Sequence, residues 1–372
     1  MSAGPPLTRL VQDLPATVPF VAPDAIERQM GKPLRLRLGA NESLFGPSPR
    51  ALQAMRASLD RIAHYGDPES FALTGALARL HGVEKENIVV TSGIDDLLGL
   101  AARAFVETGT SAVTSFGAYP TFNYHVVGFG GELRRAPYRN DANDLQALAD
   151  LAHRYHARLV YLANPDNPTG TWHSAQAIEA FIERIPSDAV LLLDEAYIEY
   201  APEGTSPTIS AGNPSVIRMR TFSKVHGMAG ARIGYGIGAP ETIGAFDKIR
   251  HHFGVNAVAQ QGALASLDDR AHIGRVVASV AEGRRDYEDL ARSLGLNTLP
   301  SATNFVAIDV GSSTRARLLL SALQEKGVFV RMPGAPPLDR CIRVTMAPAE
   351  DRAQFAEIFR EIWHSHDHAR SG

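Results

Sequence analysis

Five short stretches of this chain end on residue types that can do chemistry: TSGIDD at 91–96, FGAY at 116–119, NPDNPTG at 164–170, DEAY at 194–197 and TFSK at 221–224. Together they hold hydroxyls, an amide, carboxylates, two tyrosines and a lysine. TSGIDDLLGL opens a helix with small residues, which leaves backbone N–H groups free at the positive end of the helix dipole, a place to hold a phosphate. The same residues also fit a plain cap made by Thr91 or Ser92. NPDNPTG fits a simple turn just as well, because Asn, Pro and Gly are common turn residues.

Asp194 and Glu195 close an apolar strand, where an unpaired carboxylate costs several kcal/mol, so Asp194 is expected to meet a cation. A structural salt bridge would satisfy that rule as well as a catalytic one. Lys224 carries the same ambiguity. A second cation, Arg232, follows it in the Gly-rich stretch VHGMAGARIGYG. What joins these residues is position, because each group follows an apolar run and ligands of open parallel sheets bind beyond the carboxyl ends of strands. A single ligand using all of them would carry a phosphate, a basic ring nitrogen, a phenolic oxygen and an aldehyde. Pyridoxal phosphate meets that description.

The runs that must position these groups are NIVVTS (87–92), SAVTSF (111–116), RLVYLA (158–163), AVLLLD (189–194) and SVIRMRT (215–221). Their near-continuous apolarity, at a spacing of roughly 30 residues, suggests βαβ units and a parallel sheet covered on both faces. DDLLGLAARAFV and SAQAIEAFIERI carry the three- and four-residue apolar spacing of helices between them. After residue 255 a helical stretch at VASVAEGRRDYEDLARSLGL leads into strand candidates NFVAIDV, GVFVR and IRVTM, with helices at TRARLLLSALQEK and AEDRAQFAEIFREIWHS. The expected class is α/β, with an N-terminal segment at 1–38 packing along the smaller unit, a large domain at 39–254 built on a mainly parallel sheet, and a smaller α+β domain at 255–372.

The 372 residues are 45% hydrophobic and 21% charged with a formal net charge of −3, which permits a large core and argues against a nucleic-acid surface. Cys341 is alone, so no intramolecular disulfide or thiolate cluster can form, in keeping with a reducing cytoplasm. Neither the opening residues nor any later apolar run reads as a secretory signal or a membrane span of about 20 residues. HHF at 251–253 and HSHDH at 364–368 lack the carboxylate and cysteine spacing of a metal site, and no metal is expected.

The ordered motifs ANES, SGIDD, FGAY, NPDNPTG, DEAY, SK and IRVT, spread from Leu38 to Glu350, resemble the fold-type-I pyridoxal-phosphate aminotransferases, and most of all the histidinol-phosphate aminotransferase group. The resemblance implies that Lys224 forms a Schiff base with the cofactor and later carries a proton. Asp194 would pair with the pyridine nitrogen, Asn167 and Tyr197 with the phenolic oxygen, and Tyr119 would lie on the ring face. Gly93, Ile94, Asp95, Thr221, Ser223 and Arg232 would form the phosphate cup. Tyr65 would reach the neighbouring subunit's phosphate in a homodimer, although Gly66 stands where the family more often has proline. Asn41, Arg331 and Arg343 would bind substrate, an amino donor and then a 2-oxo acid such as 2-oxoglutarate, in a ping-pong transamination serving histidine biosynthesis. Phe20 stands where this group commonly has a tyrosine that helps bind substrate phosphate. The residues leave open an aromatic or other amino-acid aminotransferase, a decarboxylase acting on a compound such as threonine phosphate, and a cofactor-binding regulatory domain without turnover.

Overall fold

The computed structural model describes residues 4–15 and 22–368, and in it the five apolar runs share one sheet with two further strands. In chain order the strands are β1 Ile88–Thr91, β2 Ser111–Ser115, β3 Glu132–Ala136, β4 Leu159–Ala163, β5 Val190–Asp194, β6 Val216–Thr221 and β7 Gly234–Ile237. Their spatial order is β1-β7-β6-β5-β4-β2-β3. β7 runs antiparallel to both neighbours, and the remaining adjacent pairs are parallel.

Alternation along the strands feeds two cores. Leu191 and Leu193 of β5 pack with Leu148, Ile178 and Phe181 on one face, while Val190 and Leu192 join Leu97, Leu98 and Phe122 on the other. Burial of both faces is why these strands read as continuous apolar runs. The two strands that the periodicity does not announce have local reasons. β3, ELRRA, is an edge strand with only Ala136 fully buried. In β7, GYGI, a side chain at Gly234 would lie 3.1 Å from Gly93 Cα and from Ile94 N, so the apolar run is broken by a close backbone approach.

From β2 the chain moves outward to β3 and returns to β4 on the other side of β2, which opens a crevice at the carboxyl ends of β2 and β4. A second, antiparallel sheet joins Asn297–Thr298, Phe305–Asp309 and Cys341–Thr345. Helices Arg270–Ser293, Ser313–Glu325 and Ala349–His368 accompany it, burying Val280, Leu319, Phe355 and Phe359. Of the expected strand GVFVR, Val328–Phe329 pairs in parallel with Leu36–Arg37, and the segment meets the second sheet only through a single antiparallel bridge from Arg331 to Arg343. Helix Ala257–Leu267 buries Ala259 and Ala263 beside Ala51, Leu73 and Ile237. No helix among the described residues is long and apolar enough to cross a membrane.

Candidate active site

A cavity of about 830 Å³ opens at the carboxyl ends of the parallel strands, with Asp194, Tyr197, Lys224, Arg232, Arg331 and Arg343 among its lining. Ile94, Asp95, Tyr119, Asn167, Thr221, Ser223 and Asn41 line it too. Residues from 41 to 343 therefore converge on one space.

At one end stands helix Ile94–Phe105, with Gly93 at its N-cap in the positive-φ region at 91° and no side chain capping it. The plain capping reading does not hold. Thr91 Oγ1 donates to the Gly93 carbonyl over 2.9 Å and Ser92 Oγ to the Gly254 carbonyl over 2.6 Å, so both hydroxyls are turned away from the helix N–H groups. Asp96 instead accepts from the Ser92 amide over 2.9 Å. Arg232, itself at φ 54°, donates to the Ala229 carbonyl over 2.9 Å and lies 3.6 Å from Asp95. A methyl group on Gly93 would sit 2.7 Å from Arg232 Nη2. Only a bare backbone leaves this cradle of guanidinium and amide donors open, and its chemistry suits a dianion.

Asp194 ends β5 across the cavity. Among the described residues no cation forms the expected ion pair with this carboxylate, because the arginines of the next strand go to its neighbour, although the charge of Lys224 acts on it from a distance. Arg218 and Arg220, two residues apart and therefore on one face of β6, clasp Glu195 at 2.9 Å and 3.0 Å, while Asp194 points to the opposite face. Asp194 Oδ2 instead accepts from the Tyr161 hydroxyl over 2.8 Å and Oδ1 from the Ala196 amide over 3.0 Å. Burial dominates these two donors and pushes its carboxyl up to about 6. The site thus keeps an acid whose charged form still wants a cation.

Lys224 Nζ donates to the Asn41 carbonyl over 3.1 Å and lies 5.5 Å from the centre of the Tyr197 ring. Asn41 Nδ2 donates in turn to the Tyr197 hydroxyl over 3.1 Å. Tyr119 donates to Asp95 Oδ1 over 2.9 Å. Asn167 Oδ1 accepts from Arg343 Nη1 over 2.6 Å, and Arg343 Nη2 donates to the Gly39 carbonyl over 3.2 Å. Burial brings this guanidinium down to about 10, and no carboxylate among the described residues forms an ion pair with it. Arg331 is tied to Arg343 by reciprocal backbone hydrogen bonds of 3.1 Å and 2.7 Å, which carries both side chains to the same end of the cavity.

Tyr65 does not reach this space within its own chain. Its side chain is 85% exposed and rests against Phe253, ring centroids 4.8 Å apart. Phe20 lies outside the described residues. Sequence reading missed Tyr161, because a tyrosine inside LVYLA looks like any strand residue, and only the alternation placing it beside the end of β5 could have flagged it. It also missed Asn304, just before the strand Phe305–Asp309, and Thr345, at the end of Cys341–Thr345, both of which touch Asn41.

The pattern of Aminotransferase class I and II matches residues 35–362. The chain belongs to the class I and II aminotransferases. Among aminotransferases it is 34% identical to the histidinol-phosphate aminotransferase of Moorella thermoacetica over 93% of this chain and 90% of that one. The crystal structure of histidinol-phosphate aminotransferase from Sinorhizobium meliloti in complex with pyridoxal-5'-phosphate superposes with a TM-score of 0.94 and 46% identity, covering 98% of this chain and 99% of that one. A double mutant of Thermus thermophilus aspartate aminotransferase, 22% identical with a TM-score of 0.80 over 96% of this chain and all of that one, shares the fold. Fold type I is therefore the architecture of this aminotransferase, a large mostly parallel sheet with a second, smaller sheet beside it.

Proposed function

We propose that this aminotransferase binds pyridoxal phosphate and moves the amino group of histidinol phosphate to 2-oxoglutarate. The observation that carries the reading is a pair of charges facing one cavity, the buried acid of Asp194 and the buried guanidinium of Arg343, neither with an ion-pair partner among the described residues. The cradle at Gly93 and Arg232 fits the phosphate of the cofactor, and Asp194 fits its pyridine nitrogen. When bound, pyridoxal phosphate supplies an aldehyde that condenses with amines and a protonated ring that draws electrons from the donor Cα.

The chain's own groups do the rest. Lys224 Nζ, held at the cavity wall by the Asn41 carbonyl, is the amine that would hold the cofactor's aldehyde and, once free, would take the proton from the donor Cα. Asp194, once ionised against a ring cation, keeps that cation protonated. Asn167 and Tyr197 present an amide and a hydroxyl to the cofactor's phenolic oxygen, and Tyr119 presents its ring. Ile94, Asp95, Thr221 and Ser223, which line the same cavity, would border the phosphate. Arg331 and Arg343 together suit a phosphate ester in the donor and a carboxylate in the acceptor, since each offers a planar fork of donors.

A homodimer completes the reading, with Tyr65 reaching the neighbouring cradle. The apolar side chains of Leu59, Ile62, Tyr65, Phe71 and Phe253, each more than half exposed, support a second copy of this chain as the covering partner. The division between domains is better drawn after helix Ala257–Leu267 than at 254, because that helix packs with the large sheet. The buried, solitary Cys341 fits a cytoplasmic setting, and a role in histidine biosynthesis follows from the proposed donor.

The deciding experiment mixes the purified, cofactor-loaded protein with histidinol phosphate and follows loss of the cofactor's aldehyde absorbance, with phenylalanine in parallel and carbon dioxide release monitored. Histidinol phosphate should give the larger kcat/KM, by at least about 100-fold. A preference for phenylalanine would overturn the substrate, and carbon dioxide release would overturn the reaction.

A further inference from the structure

The Lys224 amine is held by a backbone group of the cavity wall. The acceptor is the backbone carbonyl of Asn41, at 3.1 Å. Asn41 is a non-glycine residue in the left-handed region, φ 55°, and is nearly fully buried. Such a conformation persists only where its surroundings hold it.

Two buried residues do so, Thr345 at the end of a strand of the second sheet and Asn304 just before the strand Phe305–Asp309. Thr345 Oγ1 accepts from the Asn41 amide over 3.1 Å and donates to Asn41 Oδ1 over 3.3 Å. Asn304 Nδ2 donates to the same Asn41 carbonyl over 3.1 Å and to the Glu42 carbonyl over 3.3 Å. The opposite end of that amide, Oδ1, is buried with no hydrogen-bond partner among the described residues. The orientation is nevertheless the right one, because turning the amide over would set its oxygen against two carbonyl oxygens. The unpaired atom is the cost of presenting a donor to both carbonyls. Neither Asn304 nor Thr345 lines the cavity.

We infer that Asn304 and Thr345 are positioning residues that fix the Asn41 carbonyl so that it aims the Lys224 amine into the cavity. An amine that donates one hydrogen to a fixed carbonyl has its lone pair turned away from that carbonyl, toward where an aldehyde must arrive. The clamp also makes the small sheet part of the lysine's mount, since Thr345 ends the strand Cys341–Thr345 that carries Arg343 two residues earlier. Donor recognition and amine alignment therefore sit on one rigid element. The inference rests on Lys224 being the condensing amine proposed above.

The test uses Asn304→Leu, of similar volume without a donor, and the pair Thr345→Val and Thr345→Ser. In the cofactor-free protein, capture of pyridoxal 5'-phosphate should slow about 10-fold in Asn304→Leu and Thr345→Val and recover in Thr345→Ser. The Kd of pyridoxamine 5'-phosphate, which uses the same cradle and acid but forms no bond to lysine, should stay within about twofold of wild type. In the loaded enzyme kcat should fall with KM nearly unchanged. Wild-type rates of capture in both donor-deleting variants would overturn the inference, as would parallel weakening of pyridoxamine 5'-phosphate, which marks a general loss of site structure. Failure of the underlying reading is seen separately: borohydride treatment of loaded wild type would then leave no pyridoxyl group on Lys224.

Discussion

Tyr161 donates its hydroxyl to Asp194 across neighbouring parallel strands, 2.8 Å from oxygen to oxygen. A neutral donor eases burial of the acid without neutralising it, so the carboxyl stays raised to about 6 from an ordinary 3.8.

That shift predicts how the cofactor-free protein responds to pH. The folded chain holds a proton between about pH 4 and 6 that the unfolded chain has released. Its contribution is full below the unfolded value and disappears as pH rises through the folded one, by about 3 kcal/mol at 1.36 kcal/mol per unit. Asp194→Asn has no proton to lose, so its melting temperature should fall less over this window than that of wild type. Identical pH slopes for the two proteins would refute the assignment.

Glu195 should behave differently from its neighbour. It is 1% exposed and answers both Arg218 and Arg220. Glu195→Gln leaves two largely buried guanidinium groups without their shared anion, Arg220 keeping only Glu199 at 3.8 Å, and should cost about 3 kcal/mol in urea unfolding. Cofactor affinity should change little, since Glu195 does not line the cavity.

Gly93→Ala tests the cradle. A methyl group there meets Arg232 Nη2 at 2.7 Å, at a φ of 91° that disfavours any side chain. With strain of about 1 to 3 kcal/mol and a displaced guanidinium, the Kd for pyridoxal phosphate should rise by about 10- to 100-fold. Absorbance titration of the cofactor-free variant reads this directly.

Arg343→Lys keeps a charge but loses the fork that reaches Asn167 and Gly39 together. The expected result is a fall of about 100-fold in kcat/KM for the amino donor with cofactor binding preserved. Steady-state kinetics beside a cofactor titration separate the two quantities.

Tyr65→Phe should leave the sedimentation coefficient of a dimer intact while raising the cofactor Kd by about 10-fold, one lost hydrogen bond to a charged group. Ile62→Asp, on the same exposed apolar face, should instead shift the protein toward monomer.

Much of this arrangement is legible in the residues themselves, for identifiable reasons. Strands buried on both faces announce themselves as apolar runs, and their carboxyl ends collect the polar residues that a ligand needs, which is how Asp194, Lys224 and Asn167 stand out in the sequence. β7 is hidden because its glycines answer a backbone contact, and β3 because an edge strand tolerates charge. The cation expected at Asp194 goes to Glu195 because strand alternation, not proximity in sequence, decides which face Arg218 and Arg220 occupy. Tyr161, Asn304 and Thr345 are invisible for the opposite reason: each acts through a single hydrogen bond or a pair of them formed across distant parts of the chain, and no local pattern encodes such a partner.

The bond between Asn41 and Thr345 joins positions 304 residues apart, and Leu36–Arg37 finds its extended partner only at Val328–Phe329. Residues 36–41 must therefore wait until residues 304–345 have been made before these contacts can form, although the last strand of the main sheet is already present by Ile237. A chain stopped before residue 304 would carry every strand of the main sheet and still lack both contacts that hold Asn41, so Lys224 and the residues that steady its acceptor belong to different stages of synthesis.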